Sequence, residues 1–103
     1  MYDLPGSGKG ALGRPLFTLG RVVATPGALA CLERCGVNGA TLLQRHQTGD
    51  WGDISAEDCQ QNKLAITHGC RILSSYTMSS GERIWIITEA DRSSTTLLRP
   101  EEY

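Results

Sequence analysis

The strongest candidate site in this sequence is a turn rich in carboxylates, hydroxyls and arginine near the C-terminus. The stretch IWIITEADRSSTTLLRP, residues 84–100, encloses this turn between two apolar runs. Two strands need fewer hydrogen-bonding groups than this to reverse direction. Either the turn is held by internal bonds, with Asp91 capping it and Arg92 paired to Glu89, or it receives a ligand. We refer to the following residues as the polar turn: Thr88, Glu89, Asp91, Arg92, Ser93, Ser94, Thr95 and Thr96.

A ligand of the polar turn would be a phosphodiester. Arginines can hold a phosphate, hydroxyls can orient it, and a histidine with a carboxylate can move protons. Metal-independent RNA cleavage needs a base for the ribose 2′ proton, an acid for the leaving oxygen and a cation for the phosphorane charge. The catalytic candidates under this ribonuclease hypothesis are His46, Arg71, Asp91 and Arg92, with hydroxyls from Ser74, Thr95 or Thr96 and with no metal or cofactor.

A second candidate feature is the segment TGDWGD, residues 48–53. Trp51 stands between two Gly-Asp units and could be an exposed anchor for a partner, because tryptophan offers a large contact area at low entropic cost. The alternative is a buried tryptophan that fastens a loop to the core. The binding candidates of the chain are therefore Trp51, Asp53, Thr88, Glu89, Asp91, Arg92, Ser93, Thr95 and Thr96.

Metal and nucleotide motifs receive less support. Cys31 and Cys35 share a helix face and could bind zinc with His46 or His68, but the same spacing describes a core stripe, which we favour, with free thiols. The segment GSGKG, residues 6–10, fails as a phosphate loop, because the first glycine of that motif is missing before Lys9 and no Ser or Thr follows it. We expect neither a metal nor a cofactor.

Composition restricts the class of protein. The 103 residues are 40% hydrophobic, which suffices for one modest core, and the formal net charge of −1 gives no general attraction to nucleic acid or anionic membranes. The sequence has neither a long apolar run nor the opening of a signal peptide, so the expected location is the cytoplasm.

Local patterns predict the elements that position these candidates. Residues 1–14 predict a flexible arm, residues 16–24 a strand with a bulge at Gly20, and three short helices follow, capped by Thr25, Asn38 and Ser55. From residue 70 the apolar period becomes two, which predicts three antiparallel strands in a meander. With the helices gathered on one face, residues 15–103 should form a single two-layer α+β domain.

Three strings carry a resemblance: RHQTGDWGD, HGCRILSSY and RIWIITEADRSSTTLLRPEEY. They resemble a family of small proteins from plasmids and integrative elements of proteobacteria, labelled plasmid-related protein or type I restriction enzyme subunit. The resemblance covers residues 16–103 and implies a cytoplasmic accessory protein of mobile DNA. The restriction label does not transfer, because the chain has neither the length nor the glycine-rich turn of a methyltransferase.

These observations lead to competing hypotheses. The first is a non-enzymatic interaction module that binds a host protein or nucleoprotein, with an anti-defence role, through the polar turn and the Trp51 loop. The second is the ribonuclease, which requires His46, Arg71 and the polar turn to converge in one pocket. Sequence-specific DNA binding is a weaker hypothesis, because Lys63 is the single lysine or arginine on the third predicted helix. A homodimer through the last strand, residues 94–98, is a further prediction.

Overall fold

Three helices and a five-stranded sheet make up the part of the chain that the structure describes, residues 2–3 and 14–103 of a computed structural model. In chain order the elements are strands β1 (Tyr2–Asp3) and β2 (Arg21–Ala24), helices α1 (Pro26–Cys35), α2 (Gly39–Gln47) and α3 (Ala56–His68), strands β3 (Ile72–Thr77), β4 (Arg83–Thr88) and β5 (Ser94–Leu98), and a short 3-10 helix (Pro100–Glu102).

The sheet has the strand order β1-β2-β5-β4-β3. Strands β3, β4 and β5 pair antiparallel, as predicted for the C-terminal third, but β2 lies parallel to β5 and makes the sheet mixed. The α+β class is confirmed, whereas the sheet is larger than a three-stranded meander. Because β5 lies between two partners, it is not a free edge, and the prediction that this strand could pair with a second copy is wrong.

The N-terminal strand is shorter than predicted. The described residues before β2 run irregularly, and Gly20 adopts a φ of 65°. A side chain there would place its Cβ 2.4 Å from the carbonyl oxygen of Ser93, so glycine allows two backbone segments to touch. Of the predicted arm, only Tyr2, Asp3 and Arg14 lie within the described residues. Tyr2 and Asp3 pair antiparallel with β2.

The helix boundaries follow the predicted caps. The hydroxyls of Thr25 and Ser55 accept backbone N–H bonds at the starts of α1 and α3, and the Asn38 side chain does the same for α2. Gly36 and Gly69 end α1 and α3 in the left-handed conformation. These contacts lie within a few residues in sequence, which is why the pattern alone predicted them.

The helices pack against one face of the sheet. The core joins Ala28, Leu32 and Leu43 of the helices to strand residues such as Ile84 and Ile86. Only Asn62 and Ala65 of α3 are buried, so this helix lies at the surface. Alternation along the strands directs a second set of side chains away from the helices. We call this set the open face: Val23, Leu73, Trp85, Ile87, Thr96 and Leu98.

The outer edge of β3 is closed by other parts of the chain. The side-chain amide of Asn62 donates to the Leu73 carbonyl at 2.7 Å and accepts from the Leu73 N–H at 3.2 Å. Further along, Ser75 bonds through its N–H and carbonyl to Trp51 and Asp53. These bonds occupy groups that an edge strand would otherwise offer to another chain. Among the described helices, none is long and apolar enough to cross a membrane.

Candidate functional site

The polar turn is held by bonds within the chain. The Asp91 carboxylate accepts from the Ser93 N–H at 2.9 Å, which is the predicted capping role. Hydrogen bonds from the Ser93 side chain and backbone hold the pKa of Asp91 below its ordinary value. Arg92 adopts a φ of 62°, unusual for a residue other than glycine, and its N–H donates to the Glu89 carbonyl at 2.9 Å.

The Arg92 guanidinium faces backbone carbonyls and does not pair with the Glu89 carboxylate, so that predicted ion pair is wrong. Its NH2 donates to the Ala65 carbonyl near the C-terminal end of α3, and its NH1 donates to the Cys70 carbonyl just beyond that helix. A cation at this end of a helix meets the negative end of its dipole and satisfies its last carbonyls. Arg92 therefore attaches the turn to the end of α3, and its guanidinium is engaged in these structural hydrogen bonds.

His46 lies beneath the sheet with 0% of its surface exposed. Its Nδ1 is 2.5 Å from the Ser74 hydroxyl and its Nε2 is 2.9 Å from the Thr88 hydroxyl, while the Phe17 ring meets it edge-on. His46 lies in the last turn of α2, where the helix dipole would favour a protonated imidazole, but tertiary contacts bury the ring. Burial, with a smaller contribution from the Arg92 charge, lowers its pKa to about 3.

The proton positions around His46 follow from the donor count. Thr95 donates its hydroxyl proton to the Leu19 carbonyl at 2.7 Å, so it accepts from Thr88 at 2.8 Å. Thr88 has then used its proton and accepts from His46 Nε2–H, which leaves Nδ1 to accept from Ser74. Every member of this buried network is neutral and satisfied, so the network stabilises the fold.

The four catalytic candidates do not meet in one pocket. His46 lies on the helix side of the sheet, whereas Arg71 and the Glu89 carboxylate, 3.7 Å apart, lie on the side of the open face. Asp91 is exposed at the tip of the turn and Arg92 is bonded to carbonyls. The convergence of His46, Arg71 and the polar turn that the ribonuclease hypothesis requires is therefore not found among these side chains.

Trp51 is buried and fastens its loop. Only 5% of its surface is exposed, and its indole N–H donates to the His46 carbonyl at 3.1 Å. It therefore presents no contact area to a partner, and the prediction of an exposed anchor is wrong. Asp53 remains exposed, while its N–H donates to the Ser75 carbonyl at 2.6 Å. The segment TGDWGD closes the edge of β3.

The open face holds apolar side chains on the side of the sheet away from the helices; Val23, Leu73 and Trp85 are half-buried, and Ile87 and Leu98 are 5% and 6% exposed. Ile87 and Leu98 lie at its centre, outside the core cluster, and Trp85 and Leu73 flank them. Thr96 sits between Ile87 and Val23 on the neighbouring strands. It is the one candidate from the polar turn that faces outward in the middle of this surface; Thr88 and Thr95 are fully buried.

Tyr103 extends the open face. Its ring meets Trp85 edge-on at 5.8 Å between centroids, its hydroxyl accepts from Arg71 at 2.6 Å, and 70% of its surface is exposed. Arg71 also faces Glu89, so this arginine is paired with a carboxylate at the rim. Strand alternation places Trp85 on this side of the sheet, whereas the return of Tyr103 to the sheet has no local sequence signal.

Comparisons with known proteins add no relative. Neither a scan against protein-family models nor searches of curated proteins and of solved structures find a match to this chain. The case for function therefore depends on the geometry described above.

Proposed function

We propose that this chain is a non-enzymatic interaction module that binds a protein partner through the open face and Tyr103. The observation that carries the proposal is an apolar patch on the side of the sheet without helices, where half-buried Leu73 and Trp85 and the exposed Tyr103 surround the nearly buried Ile87 and Leu98. Aromatic side chains are enriched at protein interfaces because they combine a large apolar area with a polar group.

The chemistry of this surface favours a protein over a nucleic acid. Its centre is aliphatic, and the Trp85 ring meets Tyr103 edge-on, so it offers no free pair of parallel stacking platforms for bases. Arg71 is engaged with Glu89 and Tyr103, and the net charge of the chain is −1. An apolar centre with a polar rim matches the usual anatomy of a protein interface.

The setting of the module is proposed from the sequence resemblance. On that basis the chain is a cytoplasmic accessory protein of a plasmid or integrative element. Its partner is then a host protein, or the protein component of a nucleoprotein, and interference with a host defence complex is the role such cargo would have. The polar turn and Trp51, the contact candidates from the sequence, are instead engaged in hydrogen bonds within the chain.

Site-specific photocrosslinking tests this proposal. A photoreactive p-benzoylphenylalanine at position 96, in the middle of the open face, should crosslink a protein from host cells, and excess unlabelled wild-type chain should suppress the product. The same group at Gln60, exposed on α3, is the matched control and should give no such product. Crosslinks from position 60 alone, or to RNA instead of protein from position 96, would contradict the proposal.

A further inference from the structure

Two thiols and a carboxylate converge at a place remote from the open face. Cys31 and Cys35 come from α1, and Glu82 comes from the turn between β3 and β4. One donor atom of each lies within 4.8 Å of the other two. Neither histidine belongs to this group, so it differs from the zinc site considered for the sequence. We call these three residues the thiol–carboxylate cluster.

Local structure brings the three donors together. Residues 31 and 35 are one helical turn apart and therefore lie on the same face of α1. The turn that carries Glu82 is closed by a bond from the Met78 N–H to the Glu82 carbonyl at 2.7 Å. The Ser80 hydroxyl donates to Glu82 Oε1 at 2.9 Å and lies 3.6 Å from the Cys35 sulfur. The Ser80 hydroxyl therefore places a further oxygen atom next to the cluster.

The two oxygens of Glu82 have different surroundings. Oε2 accepts from Arg34 at 2.5 Å and lies 3.2 Å from Arg99, while Oε1 faces Ser80 and the Cys35 sulfur, the latter at 4.0 Å. Carboxylates that bind metals are commonly oriented by hydrogen bonds to their outer oxygen. The two arginines hold Oε2 outward and leave Oε1 directed at the thiols. Their positive charges also offset part of the negative charge of the donor set.

We propose that the thiol–carboxylate cluster binds a thiophilic divalent ion, zinc, through both sulfurs and Glu82 Oε1. Thiolate sulfur and carboxylate oxygen are ordinary zinc ligands, and a tetrahedral ion keeps such atoms about 3.5 to 3.8 Å apart, given bonds of about 2.0 to 2.3 Å. Side-chain rotations that move the donor atoms by about one ångström bring them to that spacing. Cys31 is buried and Cys35 is partly exposed, so the ion enters from the Cys35 side.

The bound ion would join α1 to the β3–β4 turn. Three protein ligands leave the fourth position to water or to the Ser80 hydroxyl, as in zinc sites with an open position. Binding requires each thiol to release its proton, so two protons leave as two sulfur–zinc bonds form. An ion that binds only the folded chain also raises its stability in proportion to the logarithm of ion concentration.

Titration of the reduced, metal-free full chain with Co²⁺, a spectroscopic substitute for zinc, tests the proposal. The wild type should develop thiolate-to-cobalt charge-transfer absorption that saturates at one ion per chain and disappears when Zn²⁺ is added. Cys35→Ser should abolish this absorption, and Glu82→Gln should weaken binding by at least about ten-fold. Cys70→Ser, which removes an exposed cysteine outside the cluster, is the matched control and should titrate like the wild type.

The titration also has outcomes that overturn the proposal. Absence of charge-transfer absorption from the wild type would do so without any variant, and therefore does not depend on variant folding. A Glu82→Gln chain that binds Co²⁺ as tightly as the wild type would remove the carboxylate from the site. A Cys70→Ser chain that loses as much absorption as Cys35→Ser would place the metal on other thiols.

Discussion

Lowering the pH from 7 to 5 is expected to reduce the free energy of unfolding by about 2 kcal/mol through His46 alone, at about 1.4 kcal/mol per pH unit below 6.5. The native ring is buried and its pKa is lowered to about 3 from an ordinary 6.5. Between these values the unfolded chain binds a proton that the native chain does not, so stability falls as the pH falls. Protonation of the native ring would place a positive charge inside the core and close to the Arg92 guanidinium.

Chemical denaturation at pH 7, 6 and 5 measures this effect. His46→Gln, which removes the titrating group, should lose most of the decrease, whatever its stability at pH 7. His68→Gln, which removes the exposed histidine at the end of α3, should keep all of it. The lowered pKa values of Asp50, Glu82, Asp91 and Glu102 add a smaller loss of stability as the pH falls toward their ordinary values, and both variants share it. An unchanged decrease in His46→Gln would contradict the buried neutral ring.

Replacing Gly52 with alanine is expected to destabilise the fold by about 3 to 4 kcal/mol, near the upper end for single substitutions. Gly52 has a φ of 74°, where a side chain costs about 1 to 2 kcal/mol. In addition, its new Cβ would lie 2.3 Å from the Ser75 carbonyl oxygen. Relieving that clash separates Trp51 and Asp53 from the edge of β3, with the loss of both backbone bonds to Ser75.

Gly69→Ala provides the matched control for this substitution. Its φ of 70° is nearly the same, but the nearest atom to a new Cβ is the Ala90 carbonyl oxygen at 4.0 Å. Thermal or urea unfolding should therefore show a loss of only about 1 to 2 kcal/mol for Gly69→Ala. Equal losses at the two positions would show that the conformation of the glycine, and not the close approach to β3, decides the cost.

Interactions close in sequence made the helices predictable. Thr25, Asn38 and Ser55 cap helices within three residues of themselves, and Gly36 and Gly69 end two of them. The alternation in residues 72–98 likewise reflects one covered and one uncovered face of the sheet. For the same reason the side of the sheet on which Trp85 and Ile87 lie could be predicted.

Long-range contacts decided the features that sequence patterns missed. The parallel pairing of β2 with β5 joins residues more than seventy positions apart, for example Val22 with Thr95, and no local signal specifies it. His46 is buried by partners 28 and 42 residues away, Ser74 and Thr88. A count of hydrogen-bonding groups identified the polar turn. Only the fold shows that the Arg92 guanidinium donates its hydrogen bonds to carbonyls at the end of α3.

The most direct test of the account compares the open face with the polar turn in one binding measurement. Partner recovered from host lysate would be quantified with the wild type, with Thr96→Lys and Tyr103→Ala on the open face, and with Asp91→Ala at the tip of the turn, after thermal unfolding confirms that each chain folds. We predict that the two open-face variants lose at least about ten-fold in binding, as expected for central interface positions, while Asp91→Ala binds like the wild type. Loss of the partner by Asp91→Ala, with both open-face variants unaffected, would contradict the account and return the site to the polar turn.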